Sequence, residues 1–234
     1  MRIRRVSIQN YRNLRNVDVS LGGLVTLVGE NNSGKSNFLK AITLPLLSEE
    51  AAFRKDLSWY DINQEAKDDY YKFLTEHKEE IVTGETEIET LMQFVPEVSI
   101  MIELEAEPEE KYYIRTLCNE VRGNELVASI KYRYYIEDPK VLFDRIRELL
   151  SQTDEIDKIK MSLLPMEQYV HRIVVPGKEC NVNYEILSFF RYIALPVERD
   201  SFAANSDKLG SHALIDIFRQ AIKAQDLPRL KRST

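Results

Sequence analysis

The sequence predicts an α/β fold organised around a phosphate-binding loop, and three observations predict it. Gly29-Glu30-Asn31-Asn32-Ser33-Gly34-Lys35-Ser36 reads GxxxxGKS. The apolar run Leu24-Val25-Thr26-Leu27-Val28 precedes it. Asn37-Phe38-Leu39-Lys40-Ala41-Ile42 follows, with apolar residues at helical spacing. Strand, glycine loop and helix in that order are the context the motif requires. Chemistry accounts for the residue types. Gly29 and Gly34 let the backbone turn tightly and bring its amides close to phosphate oxygens, where a side chain would block the approach. The helix N-terminus adds unpaired donors and the positive end of its dipole. Lys35 is expected against the β- and γ-phosphates, and the Ser36 hydroxyl is the expected magnesium ligand. Asn31, Asn32, Ser33 and Asn37 complete the set expected to contact nucleotide.

The other elements follow from the N-terminus. Residues 1–10 alternate Ile3, Arg5, Ser7 and Gln9 against Arg4, Val6 and Ile8, imperfectly, which reads as a strand. A turn at Asn10-Tyr11-Arg12-Asn13 leads to a second strand over 16–21, with Val17, Val19 and Leu21 on one face. The helix after the loop ends near Leu44-Pro45-Leu46-Leu47. Residues 48–84 are polar, charged and helical in part, with Ser58-Trp59-Tyr60-Asp61 and Asp68–Leu74 supplying apolar anchors. Val98–Glu105 is a strand burying Val98, Ile100, Ile102 and Leu104. A further strand over 127–136 buries Ala128, Ile130, Tyr132, Tyr134 and Ile136, and the loop 122–125 joins it in a hairpin to Tyr112-Tyr113-Ile114-Arg115. A helix over 141–150 opens at Asp138-Pro139, a short strand covers 169–175, and an amphipathic helix begins at Ser211.

Composition narrows the class. The chain has 234 residues, is 44% hydrophobic and 30% charged, and carries a net charge of -6. This fits an ordinary globular protein of one domain, or one domain with an insertion. There is no apolar stretch near the length of a membrane span and no apolar block after the basic start, so a cytoplasmic protein without a membrane partner is expected. Cys118 and Cys180 are far apart, and His77, His171 and His212 are scattered, so neither a disulfide framework nor a zinc site is indicated. Arg2, Arg4, Arg5, Arg12 and Arg15 crowd the first strands. They offer either a DNA-facing surface, since clustered charge sets phosphate affinity, or a solvated strand face with Arg12 serving the nucleotide.

The residues Ile8-Gln9-Asn10-Tyr11-Arg12-Asn13-Leu14 and Val28–Leu39, with their spacing, resemble the N-terminal half of ABC-type ATPase heads in the SMC, RecF and OLD (overcoming lysogenization defect) families. The resemblance implies a P-loop NTPase fold with a mixed sheet and an antiparallel β subdomain at about 96–136. It also implies that Arg12 reaches the phosphates of ATP. Phe190–Asp200, a strand followed by Pro196-Val197-Glu198-Arg199-Asp200, is similar to the OLD group in particular. No glutamine occurs at 196–204, so Glu198, Arg199 and Asp200 either take the place of the magnesium-side glutamine of SMC-type heads or close a buried strand. The domains implied are an ATPase portion over 1–200 and the start of a helical dimerisation or coiled-coil insertion over 201–234.

Neither an LSGGQ-like signature nor an apolar strand ending Asp-Glu occurs. Tyr134–Pro139 has its acids reversed, and Asp154-Glu155 follows polar residues. The expectation is therefore an N-terminal part of a longer ATPase whose general base lies elsewhere, binding ATP and Mg2+ here and pairing with a second head. Three functions are expected to compete: an OLD-type ATP-regulated nuclease acting on DNA, a RecF- or SMC-like DNA-repair or chromosome ATPase, and a nucleotide-sensing scaffold that restrains a separate effector protein.

Overall fold

A computed structural model describes residues 2–46, 57–106, 110–122, 125–153, 155–178 and 181–187. Strand β1 (Arg2–Tyr11) and strand β2 (Leu14–Ser20) form the expected hairpin, and its turn holds Asn10 and Arg12 at φ of 56° and 50°. The imperfect alternation at the N-terminus has a structural cause. A register irregularity between Ile3 and Arg5 in the pairing of β1 with the next strand resets the pattern, as a bulge does, and beyond it Val6 and Ile8 are fully buried.

Helix α1 (Lys35–Thr43) follows the glycine loop, and a 3-10 turn at Trp59–Asp61 leads into α2 (Gln64–Glu76), α3 (Lys78–Thr83) and α4 (Ile88–Met92). Strand β3 (Val98–Glu105) then enters the sheet, followed by a short helix α5 (Lys111–Ile114), β4 (Cys118–Arg122), β5 (Glu125–Ile136), α6 (Pro139–Gln152), α7 (Ile156–Leu163), β6 (Tyr169–Val174) and a last turn α8 (Tyr184–Leu187). The six strands run β2-β1-β3-β5-β4, with β6 also on β5. Every recorded pairing is antiparallel.

The hydrophobic pattern explains this order. β3 and β5 bury the alternating sets read from the sequence: Val98, Ile100, Ile102 and Leu104, and Ala128, Ile130, Tyr132, Tyr134 and Ile136. They pair directly, Ile100 opposite Tyr132 and Ile102 opposite Ile130. The same core takes in Phe38, Ala41 and Ile42 of α1, Tyr70 and Leu74 of α2, and Leu142 and Ile146 of α6. Buried tyrosines tie segments together through their hydroxyls: Tyr70 donates to the Leu163 carbonyl at 2.8 Å, Tyr134 to Leu57 at 2.9 Å and Tyr169 to Pro96 at 2.7 Å. Burial raises the pKa of Tyr70 and Tyr169 well above the usual phenol value.

Three expectations are corrected. Leu24–Val28 is not a strand: the segment carries no ladder hydrogen bonds to the described residues, and Leu24 and Val28 are 92% and 88% exposed. A strand needs a neighbour for its backbone groups, and no described strand runs beside this one. For the same reason the sheet among the described residues is antiparallel throughout, where a mixed sheet was expected. The partner of β5 in the hairpin is Cys118–Arg122, not Tyr112–Arg115; the latter is helical, with Ile114 and Leu117 buried three residues apart and Tyr112 exposed. The strand expected at 190–195, the residues Glu198, Arg199 and Asp200, and the helix from Ser211 lie outside the described residues. No helix among the described residues is long and apolar enough to cross a membrane.

Candidate functional site

The glycine loop is closed by its own lysine. Lys35 Nζ donates to the carbonyls of Gly29 at 2.7 Å and Glu30 at 2.6 Å, with the Ser33 hydroxyl at 3.4 Å. An ammonium group has three donors: two are anchored across the loop by the carbonyls, and the third, toward the Ser33 hydroxyl at the longest distance, is the one an incoming anion would take over. The backbone bends through a Glu30–Ser33 turn and through Asn32 and Gly34 at φ of 66° and 101°. A Cβ on Gly29 would lie 2.7 Å from the Ser33 hydroxyl, and one on Gly34 would meet the Asn13 amide at 2.9–3.0 Å and Leu14 at 3.1 Å. Both glycines are therefore required by close approach inside the protein, and Gly34 also by its left-handed backbone.

α1 begins immediately after Gly34, with no side-chain cap. Among the described residues the amides of Lys35, Ser36 and Asn37 find no acceptor, the expected state of a first helical turn. Such a cluster of amides at a helix N-terminus favours anionic oxygens. Ser36 is exposed, and its hydroxyl makes no hydrogen bond with the described residues, as is also true of the Asn31 side chain. The hydroxyl oxygen of Ser36 is a hard donor suited to Mg2+. Among the described residues no group of His, Cys, Asp or Glu could hold a metal by itself, so a magnesium ion here would depend chiefly on phosphate oxygens and water.

A hydrogen-bonded chain runs from this loop into the β1–β2 turn and onward. Asn13 Nδ2 donates to the Asn32 carbonyl at 3.2 Å, Asn37 Nδ2 to Asn13 Oδ1 at 2.9 Å, and Arg12 Nη1 to Asn37 Oδ1 at 2.9 Å. Arg12 Nε donates to Asp61 Oδ1 at 2.8 Å, and Asp61 Oδ2 accepts from the Ser58 hydroxyl at 2.7 Å and its amide at 2.9 Å. Burial pushes the Asp61 carboxyl upward, but the Ser58 hydroxyl and amide and the Arg12 guanidinium reverse this and hold it below its usual value. Backbone bonds add to the clamp: Arg12 N–H to the Asp61 carbonyl, Asn63 N–H to the Asn10 carbonyl, and Asn63 Nδ2 to the Arg12 carbonyl at 2.6 Å. They hold Arg12 in a left-handed conformation that costs an ordinary residue about 1–2 kcal/mol. Arg12 Nη2 has no partner among the described residues, so within them the guanidinium is fixed on one edge and open on another.

The structure thus gathers Arg12, Gly29, Asn32, Ser33, Gly34, Lys35 and Asn37 in one network, with Ser36 and Asn31 exposed beside it. Asn13, Ser58, Asp61 and Asn63 belong to it too and were not singled out from the sequence. Ser58-Trp59-Tyr60-Asp61 carried a signal, since Ser-x-x-Asp is a capping-box pattern and the box is formed.

The crowded N-terminal arginines do not form a bare basic face. Arg2 pairs with Glu105, Arg5 with Asp18 and Glu103, Arg12 with Asp61 and Arg15 with Asp69. The reversed acids at the end of β5 are structural: Glu137 pairs with Arg172, and Asp138 caps α6 by accepting from the Lys140 and Val141 amides. His77 contacts Glu80 and His171 stacks on Tyr132.

Residues 1–171 match the family model described as AAA ATPase domain. A comparison with curated proteins finds no match.

Proposed function

Because the chain belongs to the AAA ATPase domain family, we propose that Gly29–Ser36 is its ATP site and that the nine sequence-predicted residues make up its phosphate-binding half. The observation that carries this is the anchored Lys35 ammonium, held by two loop carbonyls beside helix amides that have no acceptor among the described residues. Lys35 and the amides of Lys35, Ser36 and Asn37 bind phosphate oxygens, and Arg12 adds its open edge. The Ser36 hydroxyl holds Mg2+, which offsets the negative charge that the polyphosphate concentrates here. None of these residues is a general base for water, so hydrolysis draws that group from another part of the protein or from a second head. Binding alone positions the phosphates and excludes competing water from the amides.

The finer reading is an ABC-type head of the OLD group that regulates DNA cleavage, working as a pair of heads. It is supported by the Asn-Tyr-Arg-Asn turn in front of the loop and by Pro196-Val197-Glu198-Arg199-Asp200. Isothermal titration with ATP and Mg2+ tests the site. Lys35→Ala removes a charge-assisted contact of about 1.5–3 kcal/mol and should weaken ATP roughly ten- to hundred-fold. Unchanged affinity in that variant would sink the assignment.

A further inference from the structure

We infer that the base of the bound nucleotide lies in the cleft beside the loop, stacked on Tyr60. The inference rests on nucleotide binding at Gly29–Ser36. A cleft of about 700 Å³ has Arg12, Asn13 and Asn37 as one wall and the segment from Ser58 to Lys67 as the other. Its first wall is the hydrogen-bonded chain that begins at the loop itself, so the cleft continues the phosphate site, and its volume suits a nucleoside. Within the loop, Glu30, Asn31, Asn32 and Ser33 are polar and exposed and offer no ring for a base to stack on. Across the cleft, by contrast, stands Tyr60, a large ring that is 75% exposed.

Tyr60 is held ready. Its ring meets Trp59 edge-on, with centroids 5.5 Å apart at 83°. Trp59 in turn is fixed by the buried Lys67, whose ammonium lies 3.3 Å from the indole centroid and donates to the Trp59 carbonyl. The capping box of Ser58 and Asp61 and the bridge of Tyr11 with Ile62 hold the backbone on either side. An aromatic surface ordered in advance loses little freedom when a planar ligand covers it, and stacking on such a ring tolerates any base.

The test uses the full chain with Mg2+ and two ligands, ATP and inorganic tripolyphosphate, measured by isothermal titration and by the fluorescence of Trp59, the sole tryptophan. Tyr60→Ala should weaken ATP about ten-fold and leave tripolyphosphate unchanged, Tyr60→Phe should keep ATP affinity, and ATP but not tripolyphosphate should alter Trp59 emission. Lys35→Ala, the control for the phosphate site, should weaken both ligands. If Tyr60→Ala binds ATP as the unaltered protein does while Lys35→Ala fails, the base lies elsewhere and the phosphate site stands. Equal loss of both ligands in Tyr60→Ala overturns the inference as well. An unaltered protein that binds neither ligand refutes the ATP site and the base cleft together.

Discussion

Asp61 is the residue on which the geometry of Arg12 depends, and replacing it with alanine should cost measurable stability. Its carboxylate accepts from the Ser58 amide, the Ser58 hydroxyl and Arg12 Nε at 2.7–2.9 Å. Hydrogen bonds to a charged group contribute about 1.5–3 kcal/mol each. The side chains of Asp61 and Arg12 are 17% and 32% exposed, and the three bonds share one acceptor group, so their sum is discounted. Asp61→Ala should then lose about 2–4 kcal/mol, while Asp61→Asn, which keeps one acceptor oxygen but sets an amide donor in place of the other and removes the charge, should lose about 1–3 kcal/mol. Urea denaturation followed at Trp59, two residues away, reads this directly, and the thermal midpoint should fall by roughly 5–12 °C for Asp61→Ala. The pH dependence has a definite sign. The folded carboxyl titrates below its unfolded value of about 3.9, so its contribution is complete well above that value and is lost as the pH falls through it toward the folded pKa. Asp61→Asn should lack that part of the acid loss. A stability within about 0.5 kcal/mol of the unaltered protein for Asp61→Ala would refute the view that this carboxylate organises the turn.

Other perturbations separate the site from the scaffold. Gly34→Ala forces a side chain into a left-handed residue against Asn13 and Leu14, so it should destabilise by about 1–2 kcal/mol from backbone strain alone and lower ATP affinity, as denaturation and titration would show. Arg12→Ala should weaken ATP binding about ten-fold by removing a charge-assisted contact. A double-mutant cycle of Arg12→Ala with Asp61→Ala should give a coupling of about 1 kcal/mol or more in stability; additive losses would mean that the pair does not act as a unit. Tyr70→Phe removes the donor to the buried Leu163 carbonyl and should cost about 1–2 kcal/mol of stability, with ATP affinity unchanged in the same titration.

Local pattern reached far into this fold where one residue type could satisfy only one environment. Strict alternation in 98–104 and 128–136 places those residues on a buried sheet face in any register that works, and the structure has them there. Gly29, Gly34 and Lys35 stood out by their spacing, whereas Arg12 stood out only through the family resemblance. Asn13 and Asp61 did not stand out, because their roles arise from contact with residues distant in the chain, Asn37 and Arg12. The apolar run 24–28 shows the opposite limit. Its composition has the makings of a strand, but pairing is a property of neighbours, and none is present among the described residues.

The amino-acid sequence alone determined the phosphate loop, the hairpin before it and the alternating strands, because each follows from backbone freedom or from a repeat of hydrophobicity within a few residues. The tertiary structure alone decided that the Ser58–Asn63 turn folds back on Arg12, that Arg2, Arg5, Arg12 and Arg15 are paired with carboxylates, and that an exposed tyrosine stands across a cleft from the loop. Those outcomes depend on side chains brought together by the sheet and helices, and a local pattern cannot encode a partner that lies dozens of residues away.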